Sequence, residues 1–407
     1  MMENKFRMHE WIAALSFVVF FLLLNSTKPF LFPRESVRWY HYLFLGFITF
    51  LFYHKELKFQ YLGKYKKLYY LIFSIIFINI VIYPNYYMQN IGLATTIISV
   101  LILTPFLSNP NARKVLYFTF IYIAVMKILL VYQFSLDEIY LREMSGKGKD
   151  KNYVGLLLSM VSIMLISRFM ISKYLIKKIG HPFRNLMMIV FILLSLYSLL
   201  MCNSRSALLS FIASIIILIY LVTKNFGVNT VLLKAIFISS FLLIIGLQLY
   251  PQMADKYYFI GENYSRIIEF TTGKRNDINN RSFLLYSGIE FIKKKPITGY
   301  GIGGEQRISK SNFHNTYLTF WVNYGIFGIL FLILLIKYYW DEVKFQINNI
   351  KQGGNNIYDV PLLLSLIPFI FMFFTLGMTT IVFFMTSFLS SFTYRRMVQN
   401  KLTHNHL

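Results

Sequence analysis

Residues 299–321 read GYGIGGEQRISKSNFHNTYLTFW, a glycine-rich polar loop that passes through His314-Asn315 directly into an apolar run. Gly299, Gly301, Gly303 and Gly304 loosen the backbone ahead of that run. A histidine and an asparagine at the start of such a run read as the mouth of a membrane helix. Polar groups placed there mark the edge of an active site at a membrane surface.

The rest of the chain supplies the membrane. Its 407 residues are 56% hydrophobic and only 14% charged, with a mean hydropathy of +0.54. Soluble domains carry about 25% charged residues, so these apolar residues exceed what one soluble core can bury. Many runs approach the roughly 20 residues that cross a bilayer. None shows the period-two alternation of a barrel strand. The sequence predicts an all-α integral membrane protein with about twelve transmembrane helices and one long extracytoplasmic loop.

In order, the expected spans are 11–24, 37–53, 68–83, 90–107, 115–134, 153–169, 186–201, 207–222, 231–249, 314–338, 360–376 and 379–394. The first run lacks a small-residue cleavage site and reads as an anchor rather than a cleaved signal. With the N-terminus in the cytoplasm, the basic loops after the second, fourth and sixth spans fall inside, as do both termini. The resulting division is 1–249 for nine transmembrane helices, 250–313 for the extracytoplasmic loop with interfacial helices, 314–394 for three more spans and 395–407 for a cytoplasmic tail. The loop is itself basic, with ten Lys/Arg against six Asp/Glu, but long loops are less bound by the charge rule. Within it, 280–293 reads as an interfacial helix with Phe283, Leu284, Ile289 and Phe291 on its apolar side. Pro296 and the glycines after it end that helix.

Several function classes drop out. The formal charge of +24 belongs to short loops that set topology and meet anionic lipid. No basic helix or stacking platform for nucleic acid stands outside the spans. The single Cys202 excludes an intramolecular disulfide and a cysteine-built metal site. The outer side shows no clustered His/Asp/Glu spacing and no Asp-x-Asp pair. The glycine string follows no strand of a βαβ unit, so it is no nucleotide fingerprint. It is either a flexible connector or a place where backbone approaches a ligand closely.

Three polar groups fall on the outer face under this topology. Arg205 lies in the tight turn between the seventh and eighth spans, Arg281 opens the interfacial helix, and His314 starts the tenth span. Singly, each has a structural reading: a snorkelling loop arginine, a solvated helix face, a helix cap. Together they suit phosphate chemistry, because arginine's planar fork matches phosphate oxygens.

These residues also carry a resemblance. Asn203-Ser204-Arg205-Ser206-Ala207-Leu208-Leu209 resembles the serine–arginine turn of the O-antigen polymerase and O-antigen ligase family. Arg281-Ser282-Phe283, Pro296 to Gly303, His314-Asn315-Thr316-Tyr317-Leu318 and Tyr324-Gly325-Ile326-Phe327-Gly328 resemble the remaining signature, in order. The likeness covers roughly 150–335. Ser206 stands where the family's turn usually has glycine.

The resemblance implies a metal-independent glycosyltransferase of the polyprenyl-phosphate-sugar-dependent class, needing no cofactor. Its donor would be an oligosaccharide on undecaprenyl pyrophosphate at the outer face of the bacterial cytoplasmic membrane. Its acceptor would be a glycan hydroxyl, and a chain-length regulator is a partner of such systems. Arg205 and Arg281 match the family's arginines and would hold the pyrophosphate. His314 matches its catalytic histidine and would be the general base. Asn315, Gly299, Gly301 and Tyr317 would support the site. The expected activity is an O-antigen or capsule polymerase. A ligase that moves finished glycan to lipid A–core or another envelope acceptor would use the same site. A lipid-linked oligosaccharide flippase remains a third reading, disfavoured because the halves are not alike and few charges lie within spans.

Overall fold

The computed structural model describes residues 58–86, 101, 103–135, 151–175, 182–201, 204–226, 276–309, 313, 315–352, 358–374 and 379–404. The expected spans 11–24, 37–53 and 231–249 lie outside the described residues. Among the described residues every regular element is a helix, and the chain is an all-α membrane protein. Among the described residues, four helical stretches are long and apolar enough to cross a bilayer: Phe59–Ile82, Val154–Ile171, Ser206–Asn225 and Thr316–Lys351.

The helices are α1 (Lys66–Ile82), preceded by a 3-10 turn at Phe59–Tyr65, α2 (Pro110–Ser135), α3 (Lys151–Leu175), α4 (Pro182–Met201) and α5 (Arg205–Phe226). They continue with α6 (Asn276–Lys294), α7 (Gly304–Ser309), α8 (Thr316–Lys351), α9 (Asp359–Leu364), α10 (Ile367–Met372) and α11 (Thr379–His404). Local chemistry sets their ends. Asn109 Oδ1 accepts the Asn111 N–H at 2.9 Å, with Pro110 at the first helical position where its missing N–H costs nothing. α6 stops at Lys294, just before Pro296, as the sequence predicts. The expected span 360–376 is two short helices instead. Pro368 has no N–H to offer the Leu364 carbonyl, and the chain turns between α9 and α10 at Ser365-Leu366.

The described chain falls into two units. The first takes residues from 1–123, 284–344 and 373–407. Its stretch 58–67, expected as a basic loop, instead packs on α11. The left-handed Gly63 (φ 53°) admits this contact, since a Cβ there would stand 2.8 Å from Thr393 Cγ2. Nearby, the buried Glu342 receives both nitrogens of the Arg396 fork, at 2.6 and 2.9 Å. The fully buried Arg113 donates from Nε to the Leu107 carbonyl at 2.7 Å and lies 4.0 Å from the centre of the Phe392 ring.

The second unit takes residues from 124–283 and 345–372. Here α3 is the central helix, packed against α4, α5, α9 and α10. α3 and α5 approach through small residues: a Cβ on Gly155 would stand 2.6 Å from Ala207 Cβ. Lipid gives helices no hydrophobic reason to associate, so close backbone packing of this sort holds them together.

Candidate functional site

The glycine loop is docked onto α8 rather than hanging free. α8 breaks at Gly325, whose φ of 62° and ψ of −149° interrupt the helix. A break in an apolar helix strands backbone groups that lipid cannot satisfy. The loop supplies their partners. Tyr300 N–H donates to the Val322 carbonyl at 2.8 Å and Gly301 N–H to the Asn323 carbonyl at 2.9 Å. In return Ile326 N–H donates to the Ile297 carbonyl at 3.2 Å. Glycine is required at the crossing, because a Cβ on Gly325 would sit 1.9 Å from the Ile297 carbonyl oxygen.

α1 grips the same loop from another side. Asn79 Oδ1 accepts the Ile302 N–H at 2.9 Å, and the Tyr83 hydroxyl donates to the Gly299 carbonyl at 2.5 Å. Arg307 folds back to donate to the carbonyls of Tyr300, at 2.7 Å, and Ile302. The close backbone approach expected of Gly299 and Gly301 is therefore made to the protein's own chain. A Cβ at Gly299 would meet the Asn323 carbonyl at 2.6 Å, and one at Gly301 the Tyr83 ring at 2.8 Å.

The entrance to α8 is built with equal care. Asn315 is its N-cap, with Oδ1 accepting the Leu318 N–H at 3.0 Å and its carbonyl accepting the Thr319 N–H at 2.9 Å. Thr316 N–H donates to the Phe373 carbonyl at 2.7 Å, and Tyr317 packs its ring 4.8 Å from that of Phe374. Below them Phe313, Leu318, Val322 and Ile292 form a small core, and α6 reaches it through Gly288, which faces Leu318.

A carboxylate that sequence reasoning missed lies beneath this entrance. Glu305, in α7, is buried. Its Oε2 accepts the Thr319 hydroxyl at 2.5 Å, Phe313 hydrogen-bonds it through the backbone, and its own N–H donates to Asn323 Oδ1 at 2.9 Å. Burial pushes its pKa up, and the hydrogen bonds from Thr319 and Phe313 only partly oppose that. The sequence gives one signal for it: an acid directly after Gly304, the last glycine of the loop, in a segment otherwise short of acids.

Of the three expected reactive residues, Arg205 is the first residue of α5 and Arg281 lies in the second turn of α6. Both belong to the second unit. His314 lies outside the described residues, between Phe313 and Asn315. The structure joins Gly299 and Gly301 to the α8 break and places Asn315 and Tyr317 in the first turn of α8. Among the described residues no three His, Cys, Asp or Glu side chains gather at metal-ligand spacing.

A search among curated proteins returned no match to this chain. A comparison with protein families did: from within α4, across the Ser-Arg turn, α6 and the glycine loop, to beyond the Gly325 break, residues 189–333 match the family model described as O-antigen ligase, and this stretch is the part of the chain that is similar to that family.

Proposed function

We propose that the protein is a polysaccharide polymerase that transfers glycan from undecaprenyl pyrophosphate to an acceptor-sugar hydroxyl at the outer face of the cytoplasmic membrane. The observation that carries this reading is the family match, because 189–333 contains Arg205, Arg281, Gly299, Gly301, His314, Asn315 and Tyr317 together. Members of that family are glycosyltransferase-like enzymes that act on lipid-linked glycans and acceptors.

In the proposed reaction the acceptor oxygen attacks the anomeric carbon of the donor. The bond from that carbon to the pyrophosphate oxygen breaks, and the lipid pyrophosphate leaves with its electron pair. His314 takes the hydroxyl proton, a task suited to a group that titrates near neutrality. The guanidinium groups of Arg205 and Arg281 meet the charge that grows on the departing pyrophosphate. Convergence of the three at one membrane face is part of the proposal. A base at the start of α8 also gains from a fixed N-terminus, and the loop docked onto the Val322 and Asn323 carbonyls helps to fix it.

The test is a gel of surface glycans from cells expressing His314→Ala, Arg205→Ala or Arg281→Ala, beside a blot of membrane protein. Each variant should reach the membrane and lose long-chain glycan, with a rate loss for His314→Ala of about a hundred- to ten-thousandfold. Normal ladders from His314→Ala would refute its role as base. The same gel separates the sister reading: single units attached to the acceptor mean polymerase, and none attached means ligase.

A further inference from the structure

The Ser-Arg turn is held from outside its own helix. Asn152, near the start of α3, offers one oxygen to two hydroxyls: Ser204 Oγ donates to Asn152 Oδ1 at 2.7 Å and Ser206 Oγ at 3.1 Å. Those serines are the residues immediately before and after Arg205. A single side-chain oxygen thus straddles the arginine. Ser204 also starts α5, with its Oγ accepting the Ala207 N–H at 3.3 Å and its carbonyl the Leu208 N–H at 3.0 Å.

One turn further along, the two helices are already in contact. Ser159 Oγ lies within hydrogen-bond reach of the Gly155 carbonyl, at 2.8 Å, and of the Ala207 carbonyl on the neighbouring helix, at 3.2 Å. Val154–Ile171 of α3 is also the most enclosed of the four long apolar stretches. The turn is therefore tied to the central helix of its unit. Packing alone would need only the small residues Gly155, Ser159 and Ala207. The amide oxygen of Asn152 adds a hold on the two hydroxyls that flank the residue the proposed chemistry uses.

We infer that Asn152 is a positioning residue for pyrophosphate recognition, locking Ser204-Arg205-Ser206 to α3 so that Arg205 is presented from a fixed point. This rests on the reading of Arg205 as a pyrophosphate ligand. Bidentate contact between a guanidinium and phosphate oxygens depends on alignment, and a wandering anchor forfeits it.

The experiment uses the full-length protein in detergent, with inorganic pyrophosphate titrated in a calorimeter and the thermal unfolding midpoint recorded for each variant. Asn152→Ala should weaken pyrophosphate binding about tenfold, the loss of one well-formed charged contact. Ser206→Ala should weaken it about threefold. The double variant should bind no worse than Asn152→Ala, because the Ser206 hydroxyl has already lost that acceptor. Wild-type affinity in Asn152→Ala, or a double-variant loss that multiplies to about thirtyfold, overturns the inference. A lower midpoint with unchanged affinity also overturns it, since that is what packing alone would produce. If Asn152→Ala does not fold, Ser206→Ala decides: it keeps the Asn152–Ser204 bond, and unchanged affinity sinks the proposal. Arg205→Ala keeps the two readings apart. Should it bind pyrophosphate as well as wild type does, or should wild type not bind it, the assignment of Arg205 fails and the role of Asn152 falls with it.

Discussion

At the scale of single residues, the entrance to α8 is decided by small polar side chains with defined jobs. Asn315, expected to support the site, caps the helix that follows it. Glu305 is the less obvious case. Its pKa is raised by burial, so the folded state favours the protonated acid. Stability from that group is full below its ordinary value of 4.5 and is lost as pH rises through the raised one. Glu305→Gln, neutral at every pH, should not show that loss. Thermal unfolding in detergent, compared from about pH 4 to about pH 8, should find wild type losing ground to Glu305→Gln as pH rises. A difference that stays constant with pH would mean that the buried charge is not penalised.

At the scale of elements, the break in α8 is the decisive feature. The sequence reads 314–338 as one continuous span, because an apolar run containing Gly325 and Gly328 differs little from a straight helix. What breaks it is a loop that brings donors for the Val322 and Asn323 carbonyls. Gly325→Ala should therefore be severe. It incurs on the order of 1–3 kcal/mol for a positive-φ extended backbone that essentially only glycine adopts, and its Cβ would also collide with the Ile297 carbonyl at 1.9 Å. Gly303→Ala separates the two effects. It has the same positive φ, at 65°, with nothing nearer than 3.7 Å, so it should show only the backbone cost. Equal unfolding midpoints for the two variants would argue against the loop–helix crossing. The small-residue seam between α3 and α5 is equally hidden in the sequence, since Gly155 and Ala207 look like ordinary members of apolar runs until they face each other.

At the scale of the whole molecule, charge and hydropathy organise the chain. The protein is a membrane protein with long apolar helices, and the distribution of its 41 Lys/Arg carries the proposed orientation. Cys202 is the only cysteine, so Cys202→Ser yields a background without thiols. In that background Lys293→Cys should react with a membrane-impermeant maleimide in intact cells. Lys67→Cys should react only after the membrane is opened. Labelling of Lys67→Cys from outside would invert the proposed topology and move the candidate site to the cytoplasmic face.

The sequence by itself determined the class of molecule, the helical nature of its spans, the stop of α6 before Pro296 and the order of the signature residues. These follow from local composition, from residues that lack a donor and from hydropathy, none of which needs a distant partner. Only the tertiary structure decided that the glycine loop is fastened to a broken helix, that Glu305 lies beneath Thr319, and that Asn152 spans both sides of Arg205. Each of those joins residues far apart in the chain through a hydrogen bond or a sub-van der Waals approach. Residue type alone does not say which carbonyl a given N–H will meet.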